Sequence, residues 1–296
     1  MSSRHLVLTA EEQALSVPAE LAGHSSGFRR WAAVDTDASV HMRFGICELD
    51  ATGTIDWHVH SFEESFYVLE GEVVCDTPEG AFLLRPGDYG IVPVGSPHAW
   101  RNPGAGAARW ADMLAPQPRY GDEPDTFAVQ APHPLGEPRP LDIRDPRTRS
   151  FGHIDASSMA VENQTQEKMA VSASMRTALL VYSGITVKMM VDGDLGAFLQ
   201  TMFMVQYEPN GFAGPHDHPF EEAYLILEGQ TDATFDGKTY RLKPGDIAWA
   251  GVGCTHTFTN PFDGYVRWLE TQAPQPPGRH SYRFARDWRY LGDALG

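Results

Sequence analysis

The chain has 296 residues, a formal net charge of −16 and three cysteines, Cys47, Cys75 and Cys254. At ~150 residues per domain, that length suits two domains. So acidic a field repels a polyphosphate backbone and argues against a nucleic-acid partner. No apolar run reaches the ~20 residues of a membrane-spanning helix. Three cysteines with no C-x-x-C pair exclude a disulfide framework or a thiolate zinc site, and the opening Met1-Ser2-Ser3-Arg4-His5 has no signal-peptide core. The expectation is a cytoplasmic protein with neither nucleic-acid nor membrane partners.

In chain order, a short helix is expected to begin at Thr9, with Glu12 completing a capping box. Met42 to Leu49, Phe66 to Leu69, Ala81 to Leu84 and Tyr89 to Val92 are short apolar or β-branched runs bounded by turn residues, and read as strands. Pro86-Gly87 suits the centre of a type II turn, as does Pro244-Gly245 further on. From Arg119 to about Pro146 the chain is rich in Pro and polar residues and reads as a connector. Thr177 to Tyr182 and Thr186 to Val191 read as strands opening a second unit, and Asp236-Gly237 is a two-residue hairpin signal.

The chain repeats itself at a constant offset of 158 residues. His58-Val59-His60 recurs as His216-Asp217-His218, Phe62-Glu63-Glu64 as Phe220-Glu221-Glu222, and Leu69-Glu70-Gly71 as Leu227-Glu228-Gly229. Pro86-Gly87-Asp88 matches Pro244-Gly245-Asp246, and His98 matches His256. The register holds from Gly53/Gly211 to Pro118/Pro276 without an insertion. The expected organisation is an N-terminal arm (1–30), a first domain (31–118), a Pro-rich linker (119–160), a second domain (161–278) and an aromatic, basic tail (279–296).

Two histidines at i and i+2 of a strand face the same way and can reach one centre. His58 and His60, with Glu64 after a turn and His98 on a later strand, make a mixed N/O donor set for a divalent first-row metal. His216, His218, Glu222 and His256 repeat it, so the two sets use six of the chain's twelve histidines. A lone histidine is most often structural, but four ligand-type residues repeated at fixed spacing point to metal.

Both copies resemble the paired motifs of the cupin family. The first motif reads Gly53…His58-Val59-His60…Glu64…Gly71 and Gly211…His216-Asp217-His218…Glu222…Gly229, with one residue fewer between Gly and His than is usual. The second reads Gly87…Pro93-Val94-Gly95-Ser96-Pro97-His98…Asn102 and Gly245…Gly251-Val252-Gly253-Cys254-Thr255-His256…Asn260, with Gly251 where the family favours Pro. The resemblance covers about 65 residues in each half. It implies an all-β bicupin: two tandem antiparallel jelly-roll β-barrels, each with a metal in its mouth, assembled as a homodimer or larger homo-oligomer. Interior-facing histidine pairs agree with that architecture.

A metal held by four protein ligands keeps about two positions for substrate or dioxygen. Fe(II) or Mn(II) suits three His and one Glu best, Ni, Co and Zn are compatible, and up to two ions per chain are expected. The leading expectation is a dioxygenase acting on a small oxygen-rich molecule, with Glu64 or Glu222 as catalytic proton acceptor if it swings off the metal. The alternatives are a redox-neutral isomerase, decarboxylase or hydrolase, and a non-enzymatic binding protein. Among subfamilies, the resemblance disfavours oxalate decarboxylase-like bicupins (a Ser/Glu-rich lid), gentisate dioxygenase-like ones (the first-motif Glu replaced) and ureidoglycine aminohydrolase-like ones (a differently spaced set). It leaves flavonol-dioxygenase-like bicupins.

Other residues have blander readings. Cys254 is a small residue on a turn, and Asp217 faces away from its flanking histidines by strand parity. Glu63 and Glu221 are adjacent alternatives to Glu64 and Glu222, disfavoured by the spacing to Gly71 and Gly229. Trp57, Trp100 and Trp249 are expected in packing, and Arg109-Trp110 with Arg267-Trp268 in the fold. The tail cluster Arg279, His280, Tyr282, Arg283, Phe284, Arg286, Trp288, Arg289 and Tyr290 either packs on its own barrel, covers a barrel mouth or docks on a partner subunit.

Overall fold

The structure, a computed structural model, describes residues 4–119, 125–133, 136–160, 163, 177–180, 184–275 and 283–284. Among them regular structure is strand plus four short 3-10 turns. The Thr9 start is one such turn, Ala10–Glu12, with Glu12 Oε2 accepting from the Thr9 amide at 2.7 Å. No helix among the described residues is long and apolar enough to cross a membrane.

The first half comprises β1 (His5–Leu8), β2 (Ser25–Val34), β3 (Arg43–His60), β4 (Glu63–Glu70), β5 (Val73–Thr77), β6 (Gly80–Leu84), β7 (Asp88–Val92), β8 (His98–Arg101) and β9 (Ala108–Ala115). Between the halves come β10 (Thr126–Ala128), β11 (Arg139–Pro140) and β12 (Phe151–His153). The second half follows with β13 (Thr177–Leu180), β14 (Ile185–Val191), β15 (Thr201–Tyr207), β16 (Phe212–Asp217), β17 (Glu221–Glu228), β18 (Thr231–Phe235), β19 (Lys238–Leu242), β20 (Ile247–Ala250), β21 (His256–Thr259), β22 (Val266–Ala273) and β23 (Arg283–Phe284). The two halves are all-β barrels of the jelly-roll kind, and the turns fall where Gly and Asp predicted them. Gly87 and Gly245 have φ of 92° and 88°, and Asp236-Gly237 (φ 48° and 85°) closes the β18–β19 hairpin.

The two copies differ at one break. β3 runs unbroken through Thr52, and the first barrel forms a single 11-stranded sheet. The matching stretch of the second copy splits into β15 and β16, leaving sheets of seven and five strands. Pro209 stands there in place of Ala51 and has no N–H to donate to a neighbouring strand.

Two strands tie the halves together. β1 pairs antiparallel with β20 of the second barrel, and β12, from just before the second barrel, pairs with β7 of the first. The segment expected to be an arm is thus divided, since β1 serves the second barrel while β2 pairs with β3 of the first. The Pro-rich segment carries three short strands that complete the first barrel, because its backbone groups find ladder partners on β3, β6 and β7. β10 pairs Thr126 with His60 and Ala128 with His58. At the same place in the second barrel, β23 pairs Phe284 with His216 and Arg283 with Asp217. Arg279, His280, Tyr282, Arg286, Trp288, Arg289 and Tyr290 lie outside the described residues.

Alternation on the central strands gives each large sheet two apolar faces. One fills its own barrel, around Phe66, Trp100 and Trp110 in the first and Phe235, Phe258 and Trp268 in the second. The other faces the opposite barrel, and there Phe44, Ile46 and Met113 share a core with Met202, Met204, Leu225 and Trp249.

Candidate metal centres

Strand pairing assembles the sites. His58 lies directly opposite His98 across β3 and β8, and His216 opposite His256 across β16 and β21. Glu64 is the second residue of β4, paired with Val92 and Leu114, and Glu222 the second of β17, paired with Ala250 and Gln272. Donor atoms of His58, Glu64 and His98 all lie within 4.8 Å of one another, as do those of His216, His218 and His256. His60 Nε2 is 3.3 Å from Glu64 Oε2, and His218 Nε2 is 2.7 Å from Glu222 Oε2. All eight expected ligands therefore meet in two buried clusters. His218 stands just past the end of β16 rather than within it.

Backbone carbonyls fix the imidazoles. Nδ1 of His58, His60 and His98 lies against the carbonyls of Asp56, Phe62 and Ser96 at 2.8, 2.6 and 3.0 Å. Nδ1 of His216, His218 and His256 meets those of Gly214, Phe220 and Cys254 at 2.8, 2.9 and 3.0 Å. A carbonyl accepts only from N–H, so each ring donates from Nδ1 and turns Nε2 to the centre, as metal ligation requires. Burial, followed by the neighbouring His98 or His256, pulls the pKa of His58 to about 3 and that of His216 to about 4. Burial alone would raise Glu64, but His60 and His98 together outweigh it and hold the carboxyl below its ordinary range. Glu222 behaves likewise, with His218 and His256 overcoming burial. Three imidazoles and a carboxylate fit a divalent ion.

The centres differ in what surrounds them. In the second barrel the Tyr224 hydroxyl donates to Glu222 Oε2 and lies 3.1 Å from His256 Nε2, while Gln272 Nε2 donates to Glu222 Oε1 at 2.5 Å. Glu270 accepts from Trp268 Nε1 at 2.9 Å, and burial and the Glu222 charge push its carboxyl well up. The first barrel has Phe66, Leu114 and Asp112 at the positions of Tyr224, Gln272 and Glu270. There Arg30 pairs with Asp112 through two bonds of 2.7 and 2.8 Å, and Arg30, Phe62, Trp100, His58, His60 and Glu64 line a cavity of about 50 Å³. That is room for a water or two. Tyr224 was missed at the sequence level, although its signal was legible: it lies at i+2 from Glu222 on a strand, hence on the same face.

The remaining residues resolve as follows. Glu63 and Glu221 turn away from the clusters and bind backbone of the opposite half. Asp217 ends β16, its backbone paired with Arg283. Trp100 stacks on Trp110 at 5.2 Å, Trp249 sits in the core between the barrels, and Trp57 packs edge-on to His133 at 5.6 Å. Arg109 bonds Gln13 at 2.6 Å and Arg267 pairs with Glu228, both away from the centres. A third grouping of His5, Asp236 and Cys254 meets the same distance criterion. There Arg4 already takes both Asp236 oxygens at 2.8 and 3.0 Å, and burial, then Asp236, raises the Cys254 thiol to about 12, a poor start for a metal.

The cupin domain model matches residues 45–114 and 203–271. A dimethylsulfoniopropionate lyase, DddQ, from Ruegeria pomeroyi is 40% identical over 75 residues, a stretch covering 23% of this chain and 37% of the lyase. The oxalate decarboxylase of Lactobacillus farciminis, in a formate complex, superposes with a TM-score of 0.63 at 14% identity over 98% of this chain and 93% of that one. Salicylate 1,2-dioxygenase from Pseudaminobacter salicylatoxidans gives 0.60 at 16% identity over 79% and 71% of the two chains. Protein Ylba from E. coli gives 0.60 at 14% identity over 91% and 90%. With two matched domains, two jelly-roll barrels and a His/His/Glu/His cluster in each, this chain is a bicupin of the cupin superfamily.

Proposed function

We propose that this bicupin is a metal-dependent enzyme acting on a small oxygen-rich organic molecule, and that its second barrel carries redox-neutral proton-transfer chemistry of the lyase, isomerase or decarboxylase kind. The observation behind this is the Tyr224 hydroxyl, which touches Glu222 and His256 and so stands at the edge of the donor set. A bound divalent ion, Fe(II) or Mn(II) first among those the donors suit, would act as a Lewis acid that polarises a substrate oxygen and acidifies the adjacent C–H. Gln272 and Tyr224 hold both oxygens of Glu222, so a C–H proton taken by the Tyr224 oxygen would send the hydroxyl's own proton along the existing hydrogen bond to Glu222 Oε2, and the two residues act as one relay. The lyase relative is in keeping with proton-transfer chemistry. In the first barrel the Glu64 carboxylate faces the imidazoles of His60 and His98 and is the candidate proton acceptor.

A dioxygenase is the second reading. It is favoured by the first barrel, where Phe62 stacks on His60 and Trp100 packs edge-on to His98, apolar surface suited to dioxygen. The test is a screen of dimethylsulfoniopropionate, oxalate, catechol-like, flavonol-like and β-dicarbonyl compounds with Fe(II)- and Mn(II)-loaded protein, in air and under argon. Turnover under argon that Tyr224→Phe abolishes supports the first reading. Strict oxygen dependence with Tyr224→Phe unimpaired overturns it. Three buried free thiols favour a reducing cytoplasm as the site of action. A homodimer or larger homo-oligomer is the proposed assembly, to be read by light scattering.

A further inference from the structure

We infer that the carboxylate donor of each metal centre is seated by the opposite half of the chain, with Gln200 and Ser39 as the positioning residues. In the first barrel the Glu63 carboxylate accepts from the backbone amides of Phe198 and Leu199 at 2.7 and 3.0 Å. Gln200 Nε2 donates to the Glu63 carbonyl at 2.9 Å, and Gln200 Oε1 accepts from Ser65 Oγ at 2.7 Å. One buried amide from the second half therefore grips the residues on both sides of Glu64. In the second barrel the arrangement is reciprocal. Glu221 accepts from Ser39 Oγ and from the amides of Val40 and His41 at 3.0 and 3.3 Å, which anchors the residue preceding Glu222.

The two clasps are built from different members of the same repeated loop. Ser39-Val40-His41-Met42 aligns with Ala197-Phe198-Leu199-Gln200 at the 158-residue offset. The first loop uses its serine and the second its glutamine. Each polar residue is replaced in the other copy by one the fold already accommodates, Ala197 for Ser39 and Met42 for Gln200. Fixing the backbone on either side of a ligand limits where its carboxylate can go, and loss of such support typically costs metal affinity of the order of 10-fold or more.

The inference rests on the metal-centre reading and makes a crossed prediction that local damage does not. With His256→Ala to silence the second centre, Gln200→Met should weaken Co(II) binding at the first by roughly 10-fold, while Ser39→Ala leaves it unchanged. With His98→Ala to silence the first centre, the pattern should reverse, with Ser39→Ala weakening the second centre and Gln200→Met sparing it. The readouts are Co(II) titration followed by its visible absorption, and the melting temperature of each apo variant. Weakening confined to the half that carries the substitution, equal weakening of both centres, or no weakening overturns the inference. Parent protein that takes up no Co(II) at either centre overturns the metal-centre reading, and the inference with it. Parent protein with two filled centres and no crossed pattern overturns the inference alone.

Discussion

Tyr224 and Phe66 occupy matching places in two otherwise repeated barrels and differ by one oxygen atom. That oxygen lies against Glu222 and His256, whereas Phe66 carries no polar atom and packs edge-on to Trp100 at 5.0 Å centroid to centroid. If Tyr224 moves the proton, Tyr224→Phe lowers kcat by about 10²- to 10⁴-fold. Metal content measured by elemental analysis should stay at the parent level, because the four donors are untouched. The cysteines carry the opposite expectation. Burial, then nearby carboxylates, raises the Cys47 and Cys75 thiols well above the usual value, and Cys254 reaches about 12. A disulfide-exchange reagent at pH 8 should find no reactive thiol in the native protein and all three after unfolding. Rapid native labelling would contradict the packing described.

At the scale of the elements, the last glycine of the first cupin motif is held by contact as well as conformation. Gly71 has φ of 71°, and a Cβ there would sit 2.5 Å from the Ala107 carbonyl oxygen. Gly237, in the β18–β19 hairpin, has φ of 85° with nothing within 4 Å of a Cβ. Gly237→Ala therefore meets only the left-handed backbone and should cost about 1 kcal/mol. Gly71→Ala meets that cost plus a clash with backbone and should cost about 3 kcal/mol or more. Urea unfolding of the two variants checks the order, and equal losses would show that the backbone at Ala107 yields easily.

Across the whole molecule, the barrels are joined by the crossing of β1 to the second barrel, by the Glu63 and Glu221 clasps and by a core drawn from both sheets. Neither barrel can lose its packing without exposing the interface face of the other. A calorimetric scan of the apo protein should show one transition for both barrels, with the ratio of calorimetric to van't Hoff enthalpy near one. Two resolved transitions would mean that the shared core contributes little.

What the sequence determined by itself is what repeats or what a period of two encodes. The 158-residue offset, the His-x-His pairs, Glu64 and Glu222 at fixed spacing, and His98 and His256 after the Pro-Gly turns were legible, because side-chain direction on a strand follows from parity. The hairpin at Asp236-Gly237 was legible because few residues accept its backbone. Tertiary structure decided what depends on pairing between distant strands. It made part of the arm an edge strand of the second barrel and gave the Pro-rich segment ladder partners on the first. It turned Glu63 and Glu221 toward the opposite half and set Gln272 across from Glu222. Local pattern specifies which way a side chain leaves its own strand. What it meets is fixed by register and by the packing of the two barrels, which no short window of sequence records.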